Sequence, residues 1–170
     1  MPEQGSSFIV VGIVPGQHRA VVAAAAVFAE RFNAELVCAT VDMTRYTVAH
    51  EADGSIVASA IDPDQADDLV EEFDPELRAA IGSTLQGRPV RWSVRALAGS
   101  PAQELTKLAD ELSAAMIIVG TRDPGIRGSL HEFFNGSVAV QLAHRQHRPV
   151  LVIPLNPVGP DAALPWQDTP

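Results

Sequence analysis

Residues 8–41 read FIVVGIVPGQHRAVVAAAAVFAERFNAELVCATV, two apolar runs on either side of an alanine-rich segment. The first run, residues 8–13, is nearly unbroken and stops at Pro15-Gly16, the pattern of a strand buried on both faces of a parallel sheet. Between residues 17 and 32, Val21, Ala25, Phe28 and Phe32 recur on one helical face, and Asn33 is suited to cap the C-terminal end. Residues 36–41 repeat the buried-strand pattern. Strand, helix and strand in that order make one βαβ unit with a right-handed crossover, the seed of a doubly wound sheet.

Downstream, the alternation breaks and then resumes. YTVAHE and IVASAI flank Asp53-Gly54, which predicts a small β-hairpin insertion over about residues 45–61. Acidic residues from Asp62 onward lead a predicted helix with Leu69, Val70, Phe73, Leu77 and Ile81 as its apolar stripe, kinked or split at Pro75 and ending between residues 82 and 87. Residues 90–98 suit a strand. Gly99-Ser100-Pro101 suits a helix start with Ser100 as N-cap and Gln103 completing a capping box, after which Leu105, Leu108 and Leu112 face the core. Residues 116–119 read as the fourth sheet strand, residues 137–147 as the fourth helix and residues 150–153 as the last strand. The expected fold is α/β, a five-stranded parallel sheet with helices on both faces, over residues 1–154. Residues 155–170, rich in proline and small residues with Trp166 as the one anchor, are expected to form a loose tail.

A chain of 170 residues, 46% of them hydrophobic, can bury one sizeable core but not two. Its longest apolar run, residues 20–29, is about half a membrane span. The N-terminal residues have no basic segment and no small-residue cleavage pattern, so no secretory signal is read and a cytoplasmic protein is expected. Cys38 has no second cysteine to pair with and, lying in an apolar run, reads as a small buried hydrophobe. A formal charge of −9 argues against nucleic acid or an anionic membrane as partner. Eight carboxylates fall between Asp62 and Glu76, the composition of a solvated helix face. Residues 121–148 run the other way, with Arg122, Arg127, Arg145 and Arg148 against Asp123 and Glu132, so the basic part of the chain suits a small anion.

That basic part belongs to MIIVGTRDPGIRGSLHEFFNGSVAVQLAHRQHRPVLVIP, residues 116–154. Gly120, Gly125 and Gly128 punctuate the loop after an apolar strand, and a helix opens at Gly136 and Ser137, which is how an α/β protein builds a phosphate site. The alternative is that the glycines serve turns and that Ser137 or Asn135 is an N-cap. In open sheets, ligands bind beyond the carboxyl ends of the strands where the strand order reverses. The first and fourth strands form that place here, with Val14, Pro15 and Gly16 opposite Gly120, Thr121 and Arg122.

AGSPAQELTKLADELSAAMIIVGTR (residues 98–122) and NGSVAVQLAHRQHRPVLVIP (residues 135–154) are the sharpest parts of a resemblance, covering nearly all of residues 7–154, to the universal stress protein family. The resemblance implies a five-stranded α/β sheet and a dimer, and one branch of the family binds ATP. The nucleotide-binding branch carries a glycine, two residues, a second glycine, nine residues, then glycine with serine or threonine. Gly120 matches the first glycine, and Gly136, Ser137 and Val138 match the terminal element. Asp123 stands where the second glycine is expected, and fifteen residues rather than twelve separate Gly120 from Gly136, with Gly125 and Gly128 available to restore flexibility. The family's first strand normally ends in an aspartate that contacts the nucleoside; the matching residue is Val14, which cannot accept that hydrogen bond. Val41 matches the apolar contact for the base. Arg122 and Arg127 either neutralise phosphates or are plain surface charges, and Ser137 can offer its hydroxyl and backbone N–H.

Other chemistries find less support. No Gly-Lys P-loop occurs, since Lys107 follows Thr106, and no Gly-x-Ser-x-Gly elbow is present. His144 and His147, with Arg145 and Arg148, offset a negative helix C-terminus more readily than they bind a metal. His131 reads as a surface residue, and Phe133 and Phe134 as packing. The sequence therefore predicts a regulatory binder of an adenine nucleotide and not an enzyme. The alternative is a nucleotide-free dimeric scaffold of the same fold. Either is expected to be a homodimer through Val150–Ile153, an apolar edge strand.

Overall fold

The computed structural model describes residues 7–16, 18–50, 55–60, 69–121, 138–155, 157, 159 and 160. In chain order these form β1 (Ser7–Gly12), α1 (His18–Phe32), β2 (Ala34–Asp42), β3 (Arg45–His50), β4 (Ile56–Ala60), β5 (Leu69–Glu71) and α2 (Pro75–Leu85). They continue with β6 (Trp92–Ala98), α3 (Pro101–Glu111), β7 (Met116–Gly120), α4 (Val138–Arg145) and β8 (Val150–Ile153). The main sheet has the order β6-β2-β1-β7-β8 and every neighbouring pair in it is parallel.

Helices cover both faces, and strand periodicity divides the core between them. Ile9, Val11, Leu36, Cys38 and Ile118 turn to one side, where they meet Val21, Val22, Ala25, Ala26 and Ala29 of α1 and Leu77, Ile81 and Leu85 of α2. Their alternates Val10, Val37, Ala39, Ile117 and Val119 meet Leu105, Leu108 and Ala109 of α3 and Leu142 of α4 on the other. A continuous apolar run is what a strand needs when neither face meets water.

The α1 face differs from the expected one. At 100° per residue, the five buried residues centre about 60° from a line through Val21, Ala25, Phe28 and Phe32. The alanine side of the helix packs on the sheet, and Phe32 is left 53% exposed. Asn33 takes the left-handed conformation, φ 48°, that ends the helix as anticipated.

β3 and β4 are antiparallel, as the expected hairpin requires, with its Asp53-Gly54 turn outside the described residues, but the segment after them is not all helix. Leu69 and Val70, read from sequence as helical, belong to β5, which pairs with β4 and makes a second, three-stranded sheet. Proline is favoured in the first turn of a helix and disrupts its interior, so the helix begins at Pro75 instead of running through it. Asp74 caps that start, its Oδ1 accepting from the amides of Glu76 at 2.8 Å and Leu77 at 3.3 Å. Ile56 and Ala58 of the small sheet pack with Phe73 on Ala96 and Ala98 of β6.

Ser100 is the residue before α3, as expected, yet its side chain makes no capping bond, so the capping box with Gln103 is not formed. Glu104 is the acid drawn in, buried beside Gly99 and paired with Lys107 at 2.6 Å. The fourth helix spans Val138–Arg145 among the described residues and stops two residues short of its expected end.

Because Asp74 satisfies two otherwise open amides, Asp74→Ala is expected to lower stability by about 1 kcal/mol. Chemical denaturation should show a lower midpoint at an unchanged slope; an unchanged midpoint would remove the cap from the account.

Candidate functional site

The order β6-β2-β1-β7-β8 reverses direction between β1 and β7, because the chain builds outward from β1 through β2 to β6 and then returns to the far side of β1. A crevice at the carboxyl edge follows from this topology. Gly12 pairs with Ala39 on one side and Val119 on the other. Continuing both registers by two residues brings Val14, Val41 and Thr121 to the same level across three adjacent strands.

Each of these positions is prepared differently. Val14 leaves the sheet and stands 53% exposed at the head of the loop to α1. Gly16 in that loop has φ +87°, a left-handed turn that a side chain would strain. Val41 is half-buried against the cluster that includes Leu97 and Leu105, and Val138 at the start of α4 packs on the same cluster. Thr121 is held by the chain leaving β8. Its amide donates to the Ile153 carbonyl at 2.8 Å, and its Oγ1 accepts from the Leu155 amide at 2.8 Å.

Gly120 allows α1 and the segment after β8 to close on the end of β7. A Cβ there would lie 2.8 Å from Val21 Cγ2 and 3.0 Å from Leu155 Cδ1, closer than packed carbons come. This glycine serves helix packing as well as the strand end. Arg122, Gly125, Arg127, Gly128, Gly136 and Ser137, also expected in the site, lie outside the described residues.

Two groups that sequence reading passed over stand at or near this edge. Asp42, next to Val41, is a carboxylate at a strand end, but it is committed locally. Its Oδ1 accepts from the Thr44 amide and the Thr44 hydroxyl, each at 2.7 Å, and Oδ2 lies 3.9 Å from Arg45 Nε. His18, the first residue of α1, has a buried Nδ1 with no hydrogen-bond partner among the described residues. Its place two residues after Gly16, at the start of the alanine-rich helix, is the one signal the sequence carries.

No group of three metal-ligating side chains occurs among the described residues. No described helix is long and apolar enough to cross a membrane. Cys38 lies in β2 with its thiol raised to about 12 by burial, the state of a packing residue and not of a nucleophile.

A model of the universal stress protein family matches residues 8–154. The chain belongs to this family. Solved structures of universal stress proteins share its fold. One, in complex with cAMP, is 22% identical, with a TM-score of 0.56 over 89% of this chain and 98% of the other. A second, from Archaeoglobus fulgidus in complex with dAMP, is 16% identical, with a TM-score of 0.53 over 86% and 97%. A third, from Burkholderia pseudomallei, is 22% identical, with a TM-score of 0.54 over 90% and 99%. None of the curated proteins compared with the chain matches it. Within the universal stress protein fold, the five parallel strands and their two helix layers are as the sequence led one to expect.

Since Cys38 sits in the central part of the core, the native protein is expected to be unreactive toward a thiol-specific disulfide reagent at pH 8, with one thiol titrating once the chain is unfolded. Rapid stoichiometric reaction of the folded protein would contradict its burial.

Proposed function

We propose that this universal stress protein is a cytoplasmic regulatory binder of an adenine nucleotide, ATP, at the carboxyl ends of β1 and β7. The observation that carries the reading is the switch point itself, where Gly12 pairs with Ala39 and Val119, and Val14, Val41 and Thr121 each follow two residues further on. Val41 and Val14 offer apolar surface for a base, and the glycine-punctuated loop that follows Thr121 offers backbone amides and the basic Arg122 and Arg127 for phosphates. Gly120, Gly125, Gly128, Gly136, Ser137 and Val138 complete the proposed set. Structures of two family members in complex with cAMP and dAMP support an adenine ligand. The role is binding rather than turnover: the sequence has no Gly-Lys P-loop and no Gly-x-Ser-x-Gly elbow, and the cysteine is buried.

Calorimetric titration of the whole chain with ATP is expected to saturate in the micromolar to millimolar range. Ser137→Ala and Gly136→Val are expected to weaken binding by roughly tenfold, about 1.4 kcal/mol. Absence of heat and of a thermal shift at millimolar ATP would overturn the reading. It would favour a nucleotide-free scaffold instead, the reading that an exposed valine at the end of β1 otherwise supports.

The same protein is proposed to act as a homodimer through β8. That strand ends the sheet with one edge unpaired among the described residues, and Val152 on it is 40% exposed, with Val140 of α4 51% exposed. Multi-angle light scattering at micromolar concentration should give twice the chain mass, and Val152→Lys should shift it toward monomer; a monomer in both cases would remove the proposed interface.

A further inference from the structure

We propose that the outer side of β3 docks a basic, extended segment of a partner protein. The small sheet has the order β3-β4-β5, so β3 pairs with β4 alone among the described residues. The inner strand is in use: Ile56 and Ala58 of β4 are buried on Ala96 and Ala98 of β6. On β3 the large apolar side chains face outward instead. Tyr46 is 51% exposed and Val48 54%, and Ala49 beside them is exposed as well. The pairing with β4 steps from Thr47 to Ala49, so Val48 has no residue opposite it and is left out of the ladder. Two large apolar side chains on an unpaired strand edge offer the kind of surface against which extended segments dock.

Charge selects the occupant. Residues 43–74, which join β2 to α2 through this sheet, hold nine carboxylates against Arg45, a formal −8 of the chain's −9. Arg45 is itself 3.9 Å from Asp42, and Glu72 and Glu76 are exposed with no ion pair among the described residues. Residues 51–54 lie between β3 and β4, and residues 61–68 between β4 and β5. Chain length alone therefore holds their carboxylates within roughly 15 Å of a strand end of this sheet. Nucleic acid and anionic membranes are repelled by such a field. A second copy meeting the first about a two-fold axis here would set one acidic insertion against another. A segment that carries arginine or lysine among apolar residues is attracted by the charge and has side chains for Tyr46 and Val48. Its arginines can also stack on the Tyr46 ring. The proposal is independent of any nucleotide at the switch point.

The test is fluorescence anisotropy of a labelled peptide of alternating arginine and valine, titrated with the full chain, with oligoarginine and an alternating glutamate–valine peptide of the same length as controls. The arginine–valine peptide is expected to bind saturably, roughly tenfold more tightly than oligoarginine, and to weaken as sodium chloride is raised from about 50 to about 500 mM. The glutamate–valine peptide is expected not to bind. Replacing both exposed side chains, Tyr46→Ser with Val48→Ser, is expected to weaken the arginine–valine peptide roughly tenfold and to leave oligoarginine unchanged. Hydrogen exchange should show slower exchange over residues 45–50 when the arginine–valine peptide is bound. No binding of that peptide at millimolar concentration overturns the proposal, as does equal binding by wild type and the double variant, which reduces the attraction to charge alone. Protection confined to another part of the chain also overturns it. If the double variant changes the mass of the chain by light scattering, the surface serves a second copy and the proposal falls.

Discussion

Strand β1 is paired along both edges and covered on both faces, and the remaining architecture is arranged around that enclosure. Ile9, Val10 and Val11 have no exposed surface, their backbone groups are used by β2 and β7, and their side chains divide between two helix layers. A parallel strand in this position cannot tolerate a polar side chain on either face without an internal partner. Closing both layers on it requires small residues where helices approach. Gly12 is one: a Cβ there would lie 2.8 Å from Leu105 Cδ1, so α3 rests directly on the end of β1. Gly120 is the counterpart on the other face, where Val21 of α1 approaches β7.

Those close approaches bear on the candidate site. They bring helices down onto the sheet at the level where β1 and β7 end, and the chain leaves the ladder one or two residues later. Hydrogen-bonding groups that the sheet satisfied further down must find other partners at this edge. Thr121 finds them in the segment after β8, and Asp42 finds them in its own turn at Thr44. The Nδ1 of His18 finds none among the described residues. The site is thus the place where a tightly satisfied core stops supplying partners, at the reversal of strand order.

The two edges of the main sheet are treated unequally. At the β6 edge, the insertion between β2 and α2 folds into a three-stranded sheet and lays Ile56 and Ala58 on Ala96 and Ala98. At the other, β8 carries an exposed Val152 and a backbone edge with no neighbouring strand among the described residues. An uncovered apolar edge invites pairing with another chain, whereas a covered one does not, so the insertion leaves β8 as the open side of the main sheet.

Much of this was legible in the amino-acid order, because unbroken apolar strands and a βαβ rhythm leave few topologies open: the five parallel strands, the hairpin, the burial of Cys38, the turn at Asn33 and the start of α3 at Ser100 all follow from local pattern and proline or glycine chemistry. Other features depended on groups distant in sequence. Leu69 and Val70 carry a helix-compatible spacing, yet the unpaired edge of β4 took them as a strand, and Pro75 then became a helix start. Phe32 belonged to an apparent apolar stripe, but the sheet selected the alanine side of α1. Gly120 looked like a phosphate glycine and also proves to be a packing glycine, since Val21 and Leu155 arrive from elsewhere in the chain. His18 carried no signal beyond its place after Pro-Gly; only the folded surroundings leave its Nδ1 buried and without a partner among the described residues. Sequence by itself determined which segments are apolar enough to be enclosed and in what order they pair. Tertiary structure decided which face of each segment is enclosed and which polar atoms lack partners, because both depend on neighbours that adjacent residues do not encode.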